Sequence, residues 1–185
     1  HDEDNMMKGY AVVFGPSETL YQYGAYFFEF SFPRDYPFKP PKLSYMTNNG
    51  KTRFNPNLYR NGKVCISILN TWKGEQWTSC QTIRSVLLTL TTLLHNKPLL
   101  NEPGLSEKHS AFKAYNDILR YQNYKTAVHD VLTKKLLPSK FKTFYGVFKN
   151  NILKNKEIYC SVYGMNDKLC YSELYDNILS VINKL

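Results

Sequence analysis

The sequence predicts an α+β fold, in which an antiparallel β-meander packs against helices and is followed by a helical extension. Strand-like alternation and turn residues fill the first part of the 185-residue chain, whereas after residue 105 the apolar residues recur at helical spacing. No repeat or low-complexity segment interrupts either part. We therefore expect a strand-bearing core over residues 1–104, and the helical C-terminal part of that core plus an extension over residues 105–185.

Alternation indicates the first two strands. Residues 9–14 begin strand-like and end at the turn GPSET, residues 15–19. The segment AYFFEFSF, residues 25–32, places four aromatic side chains on one face of an extended chain. They are Tyr26, Phe28, Phe30 and Phe32. This aromatic face predicts a strand of an antiparallel sheet.

A rigid connection and a third strand follow. Four prolines lie between residues 33 and 41. Because proline lacks the backbone N–H and fixes φ, this stretch must be a non-helical connection. The segment KLSYMT, residues 42–47, predicts the next short strand.

The clearest helix is predicted in SCQTIRSVLLTLTTLL, residues 79–94, with Ser79 as a suitable N-cap. Its apolar residues follow the spacing of an amphipathic helix. They are Ile83, Val86, Leu87, Leu90, Leu93 and Leu94. Further on, residues 111–132, 139–154 and 171–185 also suit helices.

The composition argues against several classes of function. No stretch approaches the roughly 20 uninterrupted apolar residues that a membrane span requires, so no membrane role is expected. The four cysteines form no C-x-x-C pair and the four histidines are scattered, so no metal site is expected. So few cysteines in a chain of this length do not make a disulfide scaffold, which favours a reducing compartment, the cytoplasm or the nucleus.

The net charge of +9 leaves two interpretations open. One is a solvated, lysine-rich helical surface, and the other is an acidic partner, either protein or nucleic acid. Lys134-Lys135 is the only basic doublet in the sequence. Nucleic-acid binding would therefore rest on charge alone, and it is not expected.

Cys65 follows a turn in the segment RFNPNLYRNGKVCISIL, residues 53–69. Asn61-Gly62 is a favoured turn dipeptide, and a cysteine just past such a turn can keep its sulfur at a surface groove. The other interpretation is a core strand in which Cys65 is a small buried hydrophobe.

The surroundings of Cys65 indicate which chemistry a sulfur there could perform. The nearest histidine in the sequence, His95, is 30 residues away, and no paired base is evident. A free cysteine thiol in water has a pKa near about 8.5 and is a few per cent thiolate at neutral pH. Such a thiol is poor at attacking an amide but adequate for exchange with a thioester. A lone cysteine therefore fits acyl relay better than hydrolysis.

Several motifs stand in register over residues 9–104. They are YPFKPP at 36–41, FNPN at 54–57, NGKVCISIL at 61–69, a tryptophan at 77 and TIRSVLLTLTTLL at 82–94. In this order and spacing they resemble the ubiquitin-conjugating enzyme family. Three segments resemble the Z-type branch of this family, which carries a long helical C-terminal extension. They are RFNPN, YRNGKVC and the later YNDILRYQNYKTAVHDVL.

The resemblance implies that residues 1–104 are the catalytic core and that Cys65 carries the C-terminus of ubiquitin, or of a similar modifier, as a thioester. The family's asparagine lies eight positions before its cysteine, as Asn57 does here. That residue would hold the active-site loop and offer its amide N–H to the developing oxyanion, or do only the first. Asn55 and Pro56 complete the loop, with Asn55 in the place of the family's usual histidine, as in the Z-type branch.

Three further positions match the family. Aligned on Pro103, Glu102 matches the residue that orients the attacking lysine and accepts its proton, although it could also be an ordinary solvated glutamate. Phe38 and Trp77 match the ligase-facing positions, where an exposed aromatic on a rigid loop makes an interface anchor.

The resemblance thus implies an enzyme that takes ubiquitin or a ubiquitin-like modifier from an activating enzyme and passes it to lysine, usually with a ubiquitin ligase. No cofactor is expected to bind directly, because ATP is used by the activating enzyme. The alternative is a non-catalytic module of the same fold that only binds ubiquitin or a ligase, against which Cys65 in its context argues. The chain starts without Met or a signal-like segment, and we expect the family's N-terminal helix to be missing from it.

Overall fold

A three-stranded antiparallel sheet organises the fold in the computed structural model, which describes residues 4–133. The strands are β1, Lys8–Phe14; β2, Ala25–Ser31; and β3, Lys42–Tyr45, in that order across the sheet. Val12 of β1 lies opposite Phe27 of β2, and Phe30 of β2 lies opposite Leu43 of β3. The predicted antiparallel meander and the α+β class are confirmed.

The inner face of the sheet packs in the main core with helix α1, Ile83–Leu93. Tyr26 and Phe28, which alternation places on one face, are fully buried. They belong to the same cluster as Val86 and Leu90 of α1. The apolar stripe of this helix is therefore held against the aromatic face of the sheet.

The start of α1 differs from the sequence prediction, because its N-cap is Thr82 and not Ser79. The Thr82 hydroxyl accepts a hydrogen bond from the backbone N–H of Ser85 at 3.3 Å, and the Ser85 hydroxyl accepts one from the backbone N–H of Thr82 at 3.1 Å. This reciprocal capping box satisfies two backbone donors at once. The helix therefore begins at Ile83.

The outer face of the sheet is covered by the helical run predicted over residues 111–132. The run begins as α2, Ala111–Gln122, and continues as a π-helix, Asn123–Asp130. Phe27 of β2 lies in a second cluster together with buried side chains of this run. Those side chains are Tyr124, Val128, Val131 and Leu132. The start of β2 is thus buried on both faces.

Gly24 allows this run to approach the sheet closely. The fully buried side chain of Asn123 accepts a hydrogen bond from the hydroxyl of Tyr26 and donates one to the carbonyl of Gln22 at 3.0 Å. A Cβ atom at position 24 would lie 2.2 Å from Asn123 Oδ1. Only glycine leaves room for this buried amide.

Two short 3-10 helices lie next to predicted site residues. Ser67–Leu69 follows Cys65, and Pro98–Asn101 directly precedes Glu102. Residues 67–69 form the first of these helices and not part of a core strand, but Cys65 is buried, as the core-strand interpretation also expects. No helix within residues 4–133 is long and apolar enough to cross a membrane. The helices predicted over 139–154 and 171–185 lie outside the described residues, and the division of the chain at residue 104 stays a prediction.

Candidate active site

The turn at Asn61-Gly62 fixes the chain just before Cys65 against β3. Gly62 has a φ of 86°, a left-handed conformation that favours glycine. Its carbonyl accepts a hydrogen bond from the backbone N–H of Tyr45 at 2.7 Å. A Cβ atom on Gly62 would lie 3.0 Å from the Tyr45 carbonyl oxygen. The predicted turn is confirmed, and it can approach β3 this closely because it carries glycine.

Two hydrogen bonds join Cys65 to Asn57. The backbone N–H of Cys65 donates to the Asn57 carbonyl at 2.9 Å, and Asn57 Nδ2 donates to the Cys65 carbonyl at 2.6 Å. The eight-residue spacing in the sequence therefore corresponds to a direct contact. Asn57 Oδ1 is buried without a hydrogen-bond partner within residues 4–133. The amide holds the backbone of the cysteine, and its Nδ2 carries a second N–H that could serve a reacting group.

Cys65 is only 3% exposed, so little of it is open to solvent. The other described cysteine, Cys80, is exposed. Accessibility alone would therefore favour Cys80 as a reactive thiol, whereas the hydrogen bonds to Asn57 single out Cys65. Burial agrees with the interpretation of Cys65 as a small hydrophobe. However, a residue that only fills the core would not need the side-chain hydrogen bond from Asn57 or the 3-10 helix that follows Cys65.

Asn55 organises the loop that contains Pro56 and Asn57. Its Oδ1 accepts a hydrogen bond from the backbone N–H of Asn57 at 2.9 Å, and its Nδ2 donates to the carbonyl of Leu93 at 2.9 Å. The first bond is an Asx-type turn, which asparagine forms well. The second ties the loop to the end of α1. The carboxamide of Asn55 therefore makes the hydrogen bonds that hold this loop.

Tyr21 stabilises the same loop through its buried hydroxyl. Its hydroxyl donates to the carbonyl of Phe54 at 2.8 Å and accepts from Asn55 Nδ2 at 3.1 Å. Complete burial raises the pKa of Tyr21 well above its usual range, because the phenolate would be desolvated. The phenol therefore keeps its proton and remains a donor at neutral pH.

Glu102 directly follows the 3-10 helix Pro98–Asn101 and lies in an ion pair. Its Oε2 is 3.3 Å from Nη2 of Arg53, and the two side chains are 39% and 33% exposed. Glu102 is thus neither fully solvated nor free of partners. The ion pair connects it to the residue directly before the FNPN segment.

Phe38 and Trp77 differ in exposure although they belong to linked loops. Phe38 is 79% exposed, whereas Trp77 is only 7% exposed. Trp77 Nε1 donates to the carbonyl of Pro37 at 2.7 Å. Trp77 is therefore a clamp that fixes the proline-rich loop, and Phe38 is the side chain which that loop presents. Binding of a ligase at these positions stays a prediction.

Replacing Trp77 by phenylalanine is expected to lower the free energy of unfolding by about 1–2 kcal/mol, because the Pro37 carbonyl loses its buried donor. Urea unfolding would measure the change. The matched control is Trp72→Phe at the chain's other tryptophan, which is 40% exposed. Equal effects of the two substitutions would contradict the clamp.

Sequence reasoning missed Tyr21 and Arg53. No local sequence pattern indicates a role for either residue, because each contacts residues distant in the chain. Tyr21 is hydrogen-bonded to residues 54 and 55, and Arg53 forms an ion pair with Glu102. The only available signal was the position of Arg53 directly before the FNPN motif. No cluster of three or more His, Cys, Asp or Glu suited to a metal ion occurs in the described part of the chain.

Known proteins are similar to this chain over most of its length. The sequence model of the family described as "Ubiquitin-conjugating enzyme" matches residues 1–131. "Ubiquitin-conjugating enzyme E2 Z" of Xenopus tropicalis is 44% identical over 137 residues, covering 72% of this chain and 44% of that protein. The protein of the same name from Homo sapiens is also 44% identical, covering 72% of this chain and 39% of that protein. "Probable ubiquitin-conjugating enzyme E2 R521" of Acanthamoeba polyphaga mimivirus is 30% identical over 94% of this chain.

The chain spans less than half the length of these curated relatives. The predicted resemblance is nevertheless confirmed, and so is the similarity to the Z-type branch. The fold, the Asn57–Cys65 contact and the match over most of the chain lead to one conclusion: this chain belongs to the ubiquitin-conjugating enzyme family.

Proposed function

We propose that Cys65 accepts ubiquitin or a ubiquitin-like modifier from an activating enzyme as a thioester, and that the chain passes it to a lysine amine, usually with a ubiquitin ligase. The observation that supports this most is the pair of hydrogen bonds between Asn57 and Cys65 in a chain of this family. These bonds fix the backbone of Cys65 and do not activate its sulfur. An acyl carrier needs a fixed position for its thiol more than a strongly activated thiol.

Charging is an exchange between two thioesters. The Cys65 sulfur, as thiolate, attacks the carbonyl carbon of the modifier's C-terminus, and the bond from that carbon to the activating enzyme's sulfur breaks. The leaving sulfur departs as a thiolate, so one thiolate replaces another and no strong base is needed. No bound cofactor takes part in this step, since ATP is consumed upstream by the activating enzyme.

Transfer forms an amide. The lysine nitrogen attacks the thioester carbon, negative charge develops on the carbonyl oxygen, and the bond to the Cys65 sulfur then breaks to release its thiolate. The second N–H of Asn57 Nδ2 is a suitable donor for the developing oxyanion. The nitrogen must also lose a proton, and this proton requires an acceptor.

Glu102 is the proposed acceptor. A lysine ammonium has a pKa near about 10.4, so only roughly one in a thousand is a free amine at neutral pH. A carboxylate cannot lower that pKa by its charge, because an opposite charge favours the ammonium form. Its contribution is to dock the lysine and accept the proton as attack proceeds.

We expect Glu102→Ala to charge normally and to discharge to free lysine at least about tenfold more slowly, because the proton acceptor is lost. Discharge to a small thiol should be nearly unchanged, since a thiol supplies its own anion. Single-turnover discharge of the charged chain measures both rates. Glu107→Ala is the matched control, because Glu107 also lies in an exposed ion pair, with Lys97. Equal slowing for both nucleophiles would assign Glu102 to loop structure only.

The test of the function itself is to incubate the chain with activating enzyme, ATP and ubiquitin. The expected result is an adduct of one modifier that a reducing thiol removes. The low exposure of Cys65 favours the alternative, a non-catalytic module that only binds ubiquitin or a ligase. Non-covalent binding without a thiol-sensitive adduct would establish that alternative instead.

The proposed partners are the modifier, the activating enzyme and a ligase that meets Phe38. A reducing compartment such as the cytoplasm or nucleus would keep the Cys65 thiol available.

A further inference from the structure

Arg53 connects the 53–57 turn, whose Asn57 is hydrogen-bonded to Cys65, to the loop that carries Glu102. Its Nη2 lies 3.3 Å from Glu102 Oε2 and also donates a hydrogen bond to the carbonyl of Pro56. Its Cζ lies 4.4 Å from the ring centroid of Tyr59. Pro56 directly precedes Asn57, whose amide holds the Cys65 carbonyl. A short chain of contacts thus runs from the cysteine to the Glu102 carboxylate through one guanidinium.

The backbone of Arg53 is fixed as well. The hydroxyl of Tyr115, on α2, donates to the Arg53 carbonyl at 2.9 Å. Burial raises the pKa of Tyr115, so its phenol keeps the proton that this bond requires. The arginine is therefore held from both its main chain and its side chain.

A second contact ties the Glu102 loop to the same turn. Asn101 Nδ2 donates to Asn55 Oδ1 at 3.3 Å. Two adjacent residues of this loop, Asn101 and Glu102, therefore contact the 53–57 turn. The loop and the turn are expected to keep a fixed relative position while the modifier is carried.

The Arg53–Glu102 pair is too exposed to matter much for folding. Both side chains are about one third exposed, and ion pairs of this kind contribute little to the stability of a protein. One nitrogen of the guanidinium, Nη2, does however contact both the Glu102 carboxylate and the Pro56 carbonyl, which places the carboxylate beside the 53–57 turn. Orientation of the carboxylate is therefore the more substantial effect of the pair.

We propose that Arg53 is a positioning residue for lysine transfer, because it holds the Glu102 carboxylate next to the 53–57 turn, whose Asn57 is hydrogen-bonded to Cys65, ready to receive the amine proton. The inference rests on the proposed function. In the step concerned, the carbon–nitrogen bond forms and the carbon–sulfur bond breaks. Cys65 leaves as thiolate, and the amine proton passes to Glu102 and then to solvent. The Arg53 cation also disfavours a bound ammonium relative to the neutral amine that attacks.

The test uses the full chain, charged with ubiquitin by activating enzyme and ATP, and measures single-turnover discharge to free lysine and to a small thiol. The variants are Arg53→Ala, Arg53→Gln, Arg53→Lys, Glu102→Ala and the double variant Arg53→Ala/Glu102→Ala. Arg53→Gln keeps a donor for the Pro56 carbonyl and serves if the alanine variant folds poorly, as thermal unfolding will show. Lys8→Ala is the matched control, because it removes one positive charge from the ion pair with Glu29, on the β1–β2 part of the sheet.

We expect Arg53→Ala and Arg53→Gln to slow discharge to lysine about tenfold, as Glu102→Ala does, and to leave discharge to thiol unchanged. The double variant should be no slower than either alanine variant, because both substitutions remove the same function. Arg53→Lys should recover part of the rate, since it keeps the charge but lacks the planar fork. Lys8→Ala should behave as the unsubstituted chain.

Other outcomes overturn the inference in distinguishable ways. Normal discharge of both Arg53→Ala and Arg53→Gln, with Glu102→Ala slow, would remove Arg53 and leave the proposed function intact. Equal slowing for lysine and thiol would make Arg53 a structural residue of the turn. Multiplicative effects in the double variant would show that the two residues act independently. Failure of the unsubstituted chain to charge would instead overturn the proposed function itself.

Discussion

Cys65→Ala is expected to abolish charging completely, because no other atom at this position can form the thioester. The substitution removes a sulfur from a nearly buried site and leaves the two backbone groups that bond to Asn57 in place. The fold should therefore persist, as circular dichroism and thermal unfolding can verify. Charging is measured as the thiol-sensitive adduct formed with activating enzyme, ATP and ubiquitin.

Cys65→Ser extends the same prediction to the chemistry of the bond. A serine hydroxyl can accept the modifier slowly, and the product is an oxyester that a reducing thiol does not remove. Cys80→Ala is the matched control, because Cys80 is the exposed cysteine of the described residues. If Cys65→Ala still forms a thiol-sensitive adduct and Cys80→Ala does not, the carrier is Cys80 and the assignment to Cys65 is wrong.

The sequence predicted those parts of the fold that local periodicity determines. The aromatic alternation of Ala25–Ser31 placed Tyr26 and Phe28 on one face, and the apolar spacing of α1 placed Val86 and Leu90 on another. Each pattern follows from backbone geometry alone, with a period of two for a strand and 3.6 for a helix. The start of α1 at Ile83 was missed because it depends on reciprocal hydrogen bonds between the N-cap Thr82 and Ser85, which apolar spacing does not show.

Contacts between distant segments could not be predicted from the residues themselves. The sequence alone gave no reason to bury Trp77, whose indole N–H reaches a carbonyl 40 residues earlier in the chain. The same holds for Arg53 and Glu102, which are far apart in the sequence and form an ion pair in the folded chain. The association of Asn57 with Cys65 was predicted because the family resemblance supplied their spacing. Local propensity alone would not have predicted that the two residues are in contact.

Asn57→Ala is expected to permit charging and to slow discharge to free lysine by about 10²-fold, which is the lower end of the effect of losing one oxyanion donor. The lower end applies because Asn57 Nδ2 already donates to the Cys65 carbonyl at 2.6 Å, so only its second N–H can meet the oxyanion. Charging should still reach completion, since it exchanges one thioester for another and is driven by ATP upstream.

The same substitution has a structural consequence that must be measured separately. Without Asn57 Nδ2 the Cys65 carbonyl loses its side-chain donor, which should lower the free energy of unfolding by about 1–3 kcal/mol. Asn61→Ala is the matched control, because Asn61 accepts a local hydrogen bond from the Lys63 N–H at 3.1 Å in the neighbouring turn. Charging that fails together with stability would assign Asn57 to holding the loop. Unchanged discharge would remove its amide from the mechanism. A slow discharge in a chain that is charged and folded, with Asn61→Ala normal, is the result we expect, because the oxyanion forms only when the amine attacks.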